Sequence, residues 1–491
     1  MVLLGQIREG EDTDPATTAN EPTAPRTMTM QRIHRFWMEL TPRRHELLST
    51  YLLGIGTLFL YTGYSLQQFI GESVIHSIHE KSPDTISAYA GYYGAAFHLS
   101  AFAVCTLITP SLQHFVPSKW FLTLASALFA VYYLGFFHLN KYYFYLTQAL
   151  MGIGYSFYNN GEGQYLSEHS SRRTIESNTG IETAVGHASM FFGGIALIVL
   201  CFLLHTPHGN GIEYTDLQIR FIYGTMFILN IFSIVVFTML PTKQYDSIAS
   251  KSSTVVPSFA NQIKQLLKAF QASNLLILMP FFFFQGFAVS FLMTVYPTTL
   301  SFTSTFKTDI YIIGIYSVSM GLAEAIGGIF LRPLIKRSGD YGLYVTAGCN
   351  FVSYSIIIVL AVLSIPNLAT FGPTTTAPLF LTPSRYLVFI IGFLIGFSDF
   401  CVTMARAVIC QVAVPDCRMQ VFSLSKLYQS GSSVVVLLLT PYMTIYIWLC
   451  VLTVFLFIGT AGFVIVARRT AADRQKHSVA HPSQAQLADK I

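Results

Sequence analysis

The sequence predicts an all-α integral membrane protein with twelve transmembrane helices in two six-helix halves. Composition is the first observation behind this. Charged residues make up 11% of the chain and hydrophobic ones 53%, where a soluble domain carries about 25% charged residues. Mean hydropathy, at +0.53, implies more apolar surface than a soluble core could hide. The third observation is patterning: the apolar residues form twelve runs, each close to the roughly 20 residues a helix needs to cross about 30 Å of hydrocarbon. A barrel strand would show about 10 residues of alternating character, so the runs read as helices.

Residues 1–40 are polar and rich in Thr, Pro, Glu and Asp, without a basic segment followed by an apolar one, and read as a disordered cytosolic tail. The first half, 41–240, holds runs at approximately 46–70, 87–108, 120–137, 141–162, 179–203 and 219–240. A polar central loop follows at 241–273. It places Phe259, Ile263, Leu266, Leu267 and Phe270 at helical spacing beside Lys264 and Lys268, which suits either an interfacial helix or a linker turn. The second half, 274–467, has runs at approximately 275–296, 309–331, 342–364, 386–408, 418–440 and 444–467. Residues 468–491 resemble the N-terminal tail in composition and read as a cytosolic tail.

Orientation follows from the basic residues. An even number of spans puts both termini on one side, and that side collects about 22 of the 29 Lys and Arg. By the positive-inside rule the termini are cytosolic. The net charge of +5 is therefore a topology signal, and no basic stripe interleaved with aromatics points to nucleic acid. Seven cysteines form no CxxC pair, and neither a P-loop nor a Gly-x-Ser-x-Gly elbow is present. The expectation is a non-enzyme with no cofactor and no metal site, whose first partner is the lipid bilayer.

Ionisable residues inside apolar runs need a protein-lined or wet place to face. His98 lies in the second run, Glu162 at the end of the fourth, Glu182 and His187 in the fifth, Glu324 in the eighth, Asp399 and Arg406 in the tenth, and Lys426 in the eleventh. The third, sixth, ninth and twelfth runs carry none centrally. Transporters of the major facilitator superfamily keep every third helix outside a central cavity, and the charge placement resembles that arrangement. Glu324, Asp399 and Lys426 each lie about 7 to 9 residues in from the cytosolic face, or roughly 10 to 14 Å. Ser423, Lys426, Ser430 and Ser433 share a helix face, with Gln429 adjacent, and Asp399, Thr403 and Arg406 share another. Glu324, Asp399, Lys426, Gln429 and Ser430 thus form a candidate cavity layer, either a site for substrate or proton coupling or a structural ion pair. His98, Glu182 and His187 are the candidate titratable groups of the first half, where the histidines suit proton-linked switching or hydrogen-bonded packing. Glu162 with Arg172, Arg173, Arg332 and Arg337 suggests a cytosolic gate or a clasp.

Local strings narrow the family. Gly161-Glu162-Gly163-Gln164-Tyr165-Leu166-Ser167, then Asn178-Thr179-Gly180-Ile181, resemble the hallmark of the uncoordinated-93 (Unc-93-like) family, a branch related to the facilitators. Phe59 through Gln67 looks like that family's first helix, Gly396-Phe397-Ser398-Asp399 like its tenth, and Phe422 with Lys426, Gln429 and Ser430 like its eleventh. The resemblance covers nearly all of the membrane region and puts Asp399 and Lys426 on motif positions, implying that they pair. Departures add titratable groups: Glu162 and Gln164 replace the usual Gln and Asn, and His187 stands where Gln is common. The stretch from Gly327 to Gly339 resembles a degraded facilitator loop after the eighth span, whereas loop 109–119 has one basic residue.

Relatives of this kind include a potassium-channel regulatory subunit, a chaperone of receptors and orphan transporters, so fold alone does not name a function. Two readings follow. One is a secondary, proton-coupled transporter of a small solute; the other is a non-transporting subunit that regulates or escorts a channel or receptor. Tyr245-Asp246-Ser247-Ile248 fits a tyrosine-type sorting signal, which leaves plasma membrane and endolysosomal membrane both open.

Overall fold

In a computed structural model of the chain, residues 41–112, 115–171, 173–203, 214–243, 259–331, 333, 337, 341–414 and 417–480 are described. The tail at 1–40, the string at 245–248, Arg172 and Arg332 lie outside the described residues. Backbone contacts divide the chain into Met1–His45 and Glu46–Ile491, and the second unit holds the helical bundle.

The first half comprises α1 (Pro42–Lys81), α2 (Ala90–Leu112), α3 (Ser118–Leu134), α4 (Lys141–Glu168), α5 (Ile175–Leu203) and α6 (Asp216–Met239). A short helix, α7 (Phe259–Phe270), precedes α8 (Ser273–Ser290), α9 (Tyr296–Phe302), α10 (Ile312–Ile326), α11 (Gly342–Ser364), α12 (Arg385–Val412), α13 (Arg418–Leu439) and α14 (Ile445–Ala480). Among the described residues, eleven helical stretches are long and apolar enough to cross a membrane. α4 falls outside that set. Its 28 residues reach about 42 Å, but Asn159, Asn160, Glu162 and Gln164 make its second half polar. All twelve expected runs are thus helical, and eleven have the composition of a span.

Helix ends follow local chemistry. The Asn140 side chain accepts from the Tyr142 amide at 2.9 Å to start α4, and Thr215 with Gln218 forms a capping box on α6. α8 and α9 make one stretch, Ser273–Phe302, widened by a π-turn at Phe291–Val295. The Tyr316 hydroxyl donates to the Leu292 carbonyl at 2.7 Å, supplying a partner where the helical ladder is disturbed. A second π-turn, Gly327–Leu331, follows α10 immediately after Glu324.

Two expectations outside the spans resolve differently. The central loop does contain a helix, α7, rather than a mere turn. Leu266 packs on the core and Ala269 is buried, while Lys264, Leu267, Lys268 and Phe270 are exposed. At the other end, α14 continues through Ala480, so the start of the expected tail is helical.

Packing repeats between the halves. α4 packs against α2 and α3, and α3 against α6; correspondingly α12 packs against α10 and α11, and α11 against α14. The halves join through α5 on α10 and α2 on α13. Near the α1–α2 turn, the Tyr92 hydroxyl donates to the Thr370 carbonyl at 3.2 Å and the His76 and Phe302 rings lie 4.9 Å apart. Of the runs without central charges, α6, α11 and α14 bury 33%, 39% and 39% of their span windows, against 67% for α8–α9, but α5, which carries Glu182 and His187, is as low at 39%. α3 also lacks a central charge, yet at 56% it is buried as much as α1.

Candidate functional site

The α5–α10 contact brings the halves together in the middle of the bundle. It is close because glycines face it. A Cβ on Gly194 would lie 2.7 Å from the Val318 amide, and one on Gly321 would lie 2.5 Å from the Phe191 amide. Such small faces let helix backbones approach, and the Ser317 hydroxyl donates across them to the Met190 carbonyl at 2.7 Å. At this contact His187 Nδ1 of α5 lies 3.0 Å from Glu324 Oε2 of α10, a link spanning 137 residues of sequence. The Glu324 side chain is 7% exposed, whereas that of His187 is 54% exposed.

Around this bridge the predicted residues converge unevenly. Asp399 on α12 is within electrostatic reach of Glu324, Arg406, His187 and Lys426. Lys426 on α13 is within reach of Arg406, Asp399 and Glu162. Asp399 and Lys426 are nevertheless not in salt-bridge contact, contrary to the pairing their motif positions imply. Their helices pack only lightly on each other, since α12 is held by α10 and α11 and α13 by α2 and α8. Gln429 takes a different role: its Oε1 accepts from Arg406 Nη1. Ser430 is buried nearby.

Glu162 lies near this centre, and two of the arginines grouped with it, Arg172 and Arg332, lie outside the described residues. Glu162 is within electrostatic reach of Glu182, Tyr158, His187 and Lys426. Glu182 is buried beside Thr57, whose hydroxyl is 2.8 Å from that of Tyr158. Arg173 and Arg337 are exposed, with no ion pair to Glu162 among the described residues.

His98 and His187 do not meet. His98 is buried, with its Nε2 3.2 Å from the Tyr64 hydroxyl. Tyr61, Tyr64 and Tyr155 stand between the histidines: Tyr61 is 6.3 Å from His187 and 5.9 Å from Tyr64, and Tyr64 stacks on Tyr155 at 5.1 Å. His98 is therefore a packed, hydrogen-bonded residue at the far end of an aromatic row.

Sequence reasoning missed two buried polar groups. Glu72 is 1% exposed and accepts from the Tyr92 amide at 2.8 Å. Its signal was a carboxylate only a few residues beyond the first apolar run. Gln67, quoted only within a family string, organises a network: its amide donates to the Tyr132 hydroxyl, its carbonyl accepts from Tyr223, and Gln148 donates to Tyr132 at 3.1 Å. The string around Asn178 also gains a physical reason. The Asn178 amide donates to Glu46 Oε1 at 2.8 Å and to the Ser170 hydroxyl at 2.9 Å, tying the start of α5 to α1 and to the end of the α4 segment.

Comparisons with known proteins agree with this architecture. Two crystal structures of the nucleoside transporter NupG, one of a D323A mutant, superpose with a TM-score of 0.55 at 13% identity; both cover 87% of this chain, and 99% (mutant) and 98% of their own. At that identity the likeness establishes the fold alone, a major-facilitator-like one. Proteins named UNC93-like protein MFSD11 from Xenopus laevis and Xenopus tropicalis are each 24% identical over 444 residues, covering 87% of this chain and 97% of theirs. Residues 82–464 match the family described as Ion channel regulatory protein UNC-93, and this multi-pass membrane chain belongs to that family.

Proposed function

We propose that this chain is a secondary transporter of a small solute, driven by proton movement at the bridge between its halves. The observation that carries the reading is the His187–Glu324 contact, which joins the halves near Asp399, Lys426, Glu162 and Glu182. With His187 protonated and Glu324 ionised, the bridge is an ion pair. Proton exchange that leaves either partner neutral weakens the link and favours rearrangement of one half against the other. The basic residues on the side of the termini support a cytosolic placement for both ends, and the exposed Lys264, Leu267, Lys268 and Phe270 of α7 support its lying at the membrane surface.

The test is a distance measurement. Spin labels on the inner ends of α4 and α12, in protein reconstituted in nanodiscs, should shift their separation between about pH 5.5 and about pH 8. The shift should disappear in Glu324→Gln. Identical distributions at both pH values in the wild type would sink the proposal.

The family description favours one second reading, a regulatory or escort subunit of an ion channel or receptor. Under it the central charges are struts. Purification in mild detergent would then recover a channel or receptor polypeptide in stoichiometric amount, and the label distances would not respond to pH.

A further inference from the structure

Arg406 is the most deeply buried cation in the centre. It is 6% exposed; its Nη1 donates to Gln429, and its guanidinium lies 5.8 Å from the Phe422 ring centroid. Its Nε is buried without an acceptor. No carboxylate lies within ion-pair distance of Arg406 or Lys426 among the described residues, and the two cations lie within electrostatic reach of each other. Of the nearby carboxylates, Glu324 is paired with His187, and Glu162 acts on Lys426 only at a distance. Asp399 acts on both cations only at a distance. A guanidinium removed from water and left without an anion is strongly unfavourable. Its geometry suits planar, forked binding to a carboxylate or phosphate group. Tyr155, within electrostatic reach of Arg406, and Tyr61 are half-buried rings 6.4 Å apart, a platform for an apolar body.

We infer that the solute is a small organic anion whose charged group binds between Arg406 and Lys426, with its body against Tyr61 and Tyr155. This rests on the transport reading and names the chemistry of its cargo. Anion binding would supply the acceptor that Arg406 Nε lacks and relieve the repulsion between the two cations.

Thermal unfolding of the purified full chain tests it, with benzoate, succinate and inorganic phosphate as anionic probes. Choline and uridine serve as cationic and uncharged controls, all at one ionic strength. At least one anion should raise the unfolding temperature. Arg406→Gln should weaken that anion's binding by about tenfold to a hundredfold, with Arg406→Lys retaining part of it. Without probe, Arg406→Gln should unfold no lower than the wild type, because it removes an uncompensated charge; a purely structural arginine would lower it. Should Arg406→Gln fail to fold, Lys426→Met carries the same binding test. Stabilisation by choline or uridine alone overturns the anion and leaves the transport reading standing. An anion effect that persists undiminished in the substituted proteins, or no effect of any probe, also overturns it. An anion that binds while the label distances ignore pH keeps the site and removes proton coupling.

Discussion

The two halves share a packing scheme but treat their polar residues differently. In the first half, Gln67, His98 and Glu72 are each buried and held by at least one direct hydrogen bond, and Gln67 joins two side chains from other helices. In the second, Asp399 and Lys426 make no hydrogen bond or ion pair among the described residues, whereas Arg406, like His98 and Glu72, makes one bond and leaves one buried atom without a partner. Glu324 is the exception, since a residue of the first half holds it. A polar residue inside an apolar run is therefore no mark of function by itself. What separates strut from site is whether the fold already supplies its partner.

The largest expected effects fall on the packing that the halves share. A Cβ on Gly152 of α4 would lie 2.0 Å from the His98 carbonyl of α2, and one on Gly396 of α12 would lie 2.6 Å from the Met320 carbonyl of α10. Gly152→Val and Gly396→Val should each cost about 3 kcal/mol or more, because backbone cannot yield as a side chain does. Monodisperse yield from detergent is the readout, and loss in only one of them would break the equivalence of the halves.

Next comes the network. Gln67→Leu takes the acceptor from the Tyr223 hydroxyl and leaves Tyr132 with Gln148 alone, and should destabilise by about 2 kcal/mol. A change near zero in its unfolding temperature would mean that the first half's polar groups are not struts.

Smaller still is the effect at the open charges. Asp399→Asn should alter stability by under about 1 kcal/mol, and a cycle with Lys426→Met should give a coupling below about 0.5 kcal/mol, since the two do not touch. A coupling of several kcal/mol would show a structural pair after all.

The smallest changes belong to exposed ion pairs at the ends of helices. Lys81 Nζ lies 2.8 Å from Asp216 in the first half, and Arg385 Nε lies 2.5 Å from Asp309 in the second. Double-mutant cycles should give roughly 0.2 to 1 kcal/mol for each, reduced by salt. Unequal values would indicate that the second half's asymmetry extends beyond its centre.

Much of this was legible along the chain. Every expected span is helical, because a run of apolar residues must satisfy its own backbone in hydrocarbon, and the amphipathic spacing at 259–270 proved to be a helix. The strings around Glu162, Asn178 and Asp399 identified the family that the comparisons support. The candidate site was legible only as an inventory. Glu162 read as a gate or clasp beside basic residues, and its electrostatic neighbours include Glu182, His187 and Lys426; Asp399 and Lys426 looked paired, yet only their fields meet.

The sequence by itself determined the number and place of the apolar runs, their helical form and which of them carry charge. These depend on hydrophobic length and on neighbours a turn or two away. Only the tertiary structure decided which charges are satisfied. That outcome depends on the rotation and closeness of helices far apart in sequence, set by contacts such as Gly194 and Gly321 against the opposite half. His187 meets Glu324 across 137 residues for that reason, and Arg406 is left facing the centre with a donor to spare.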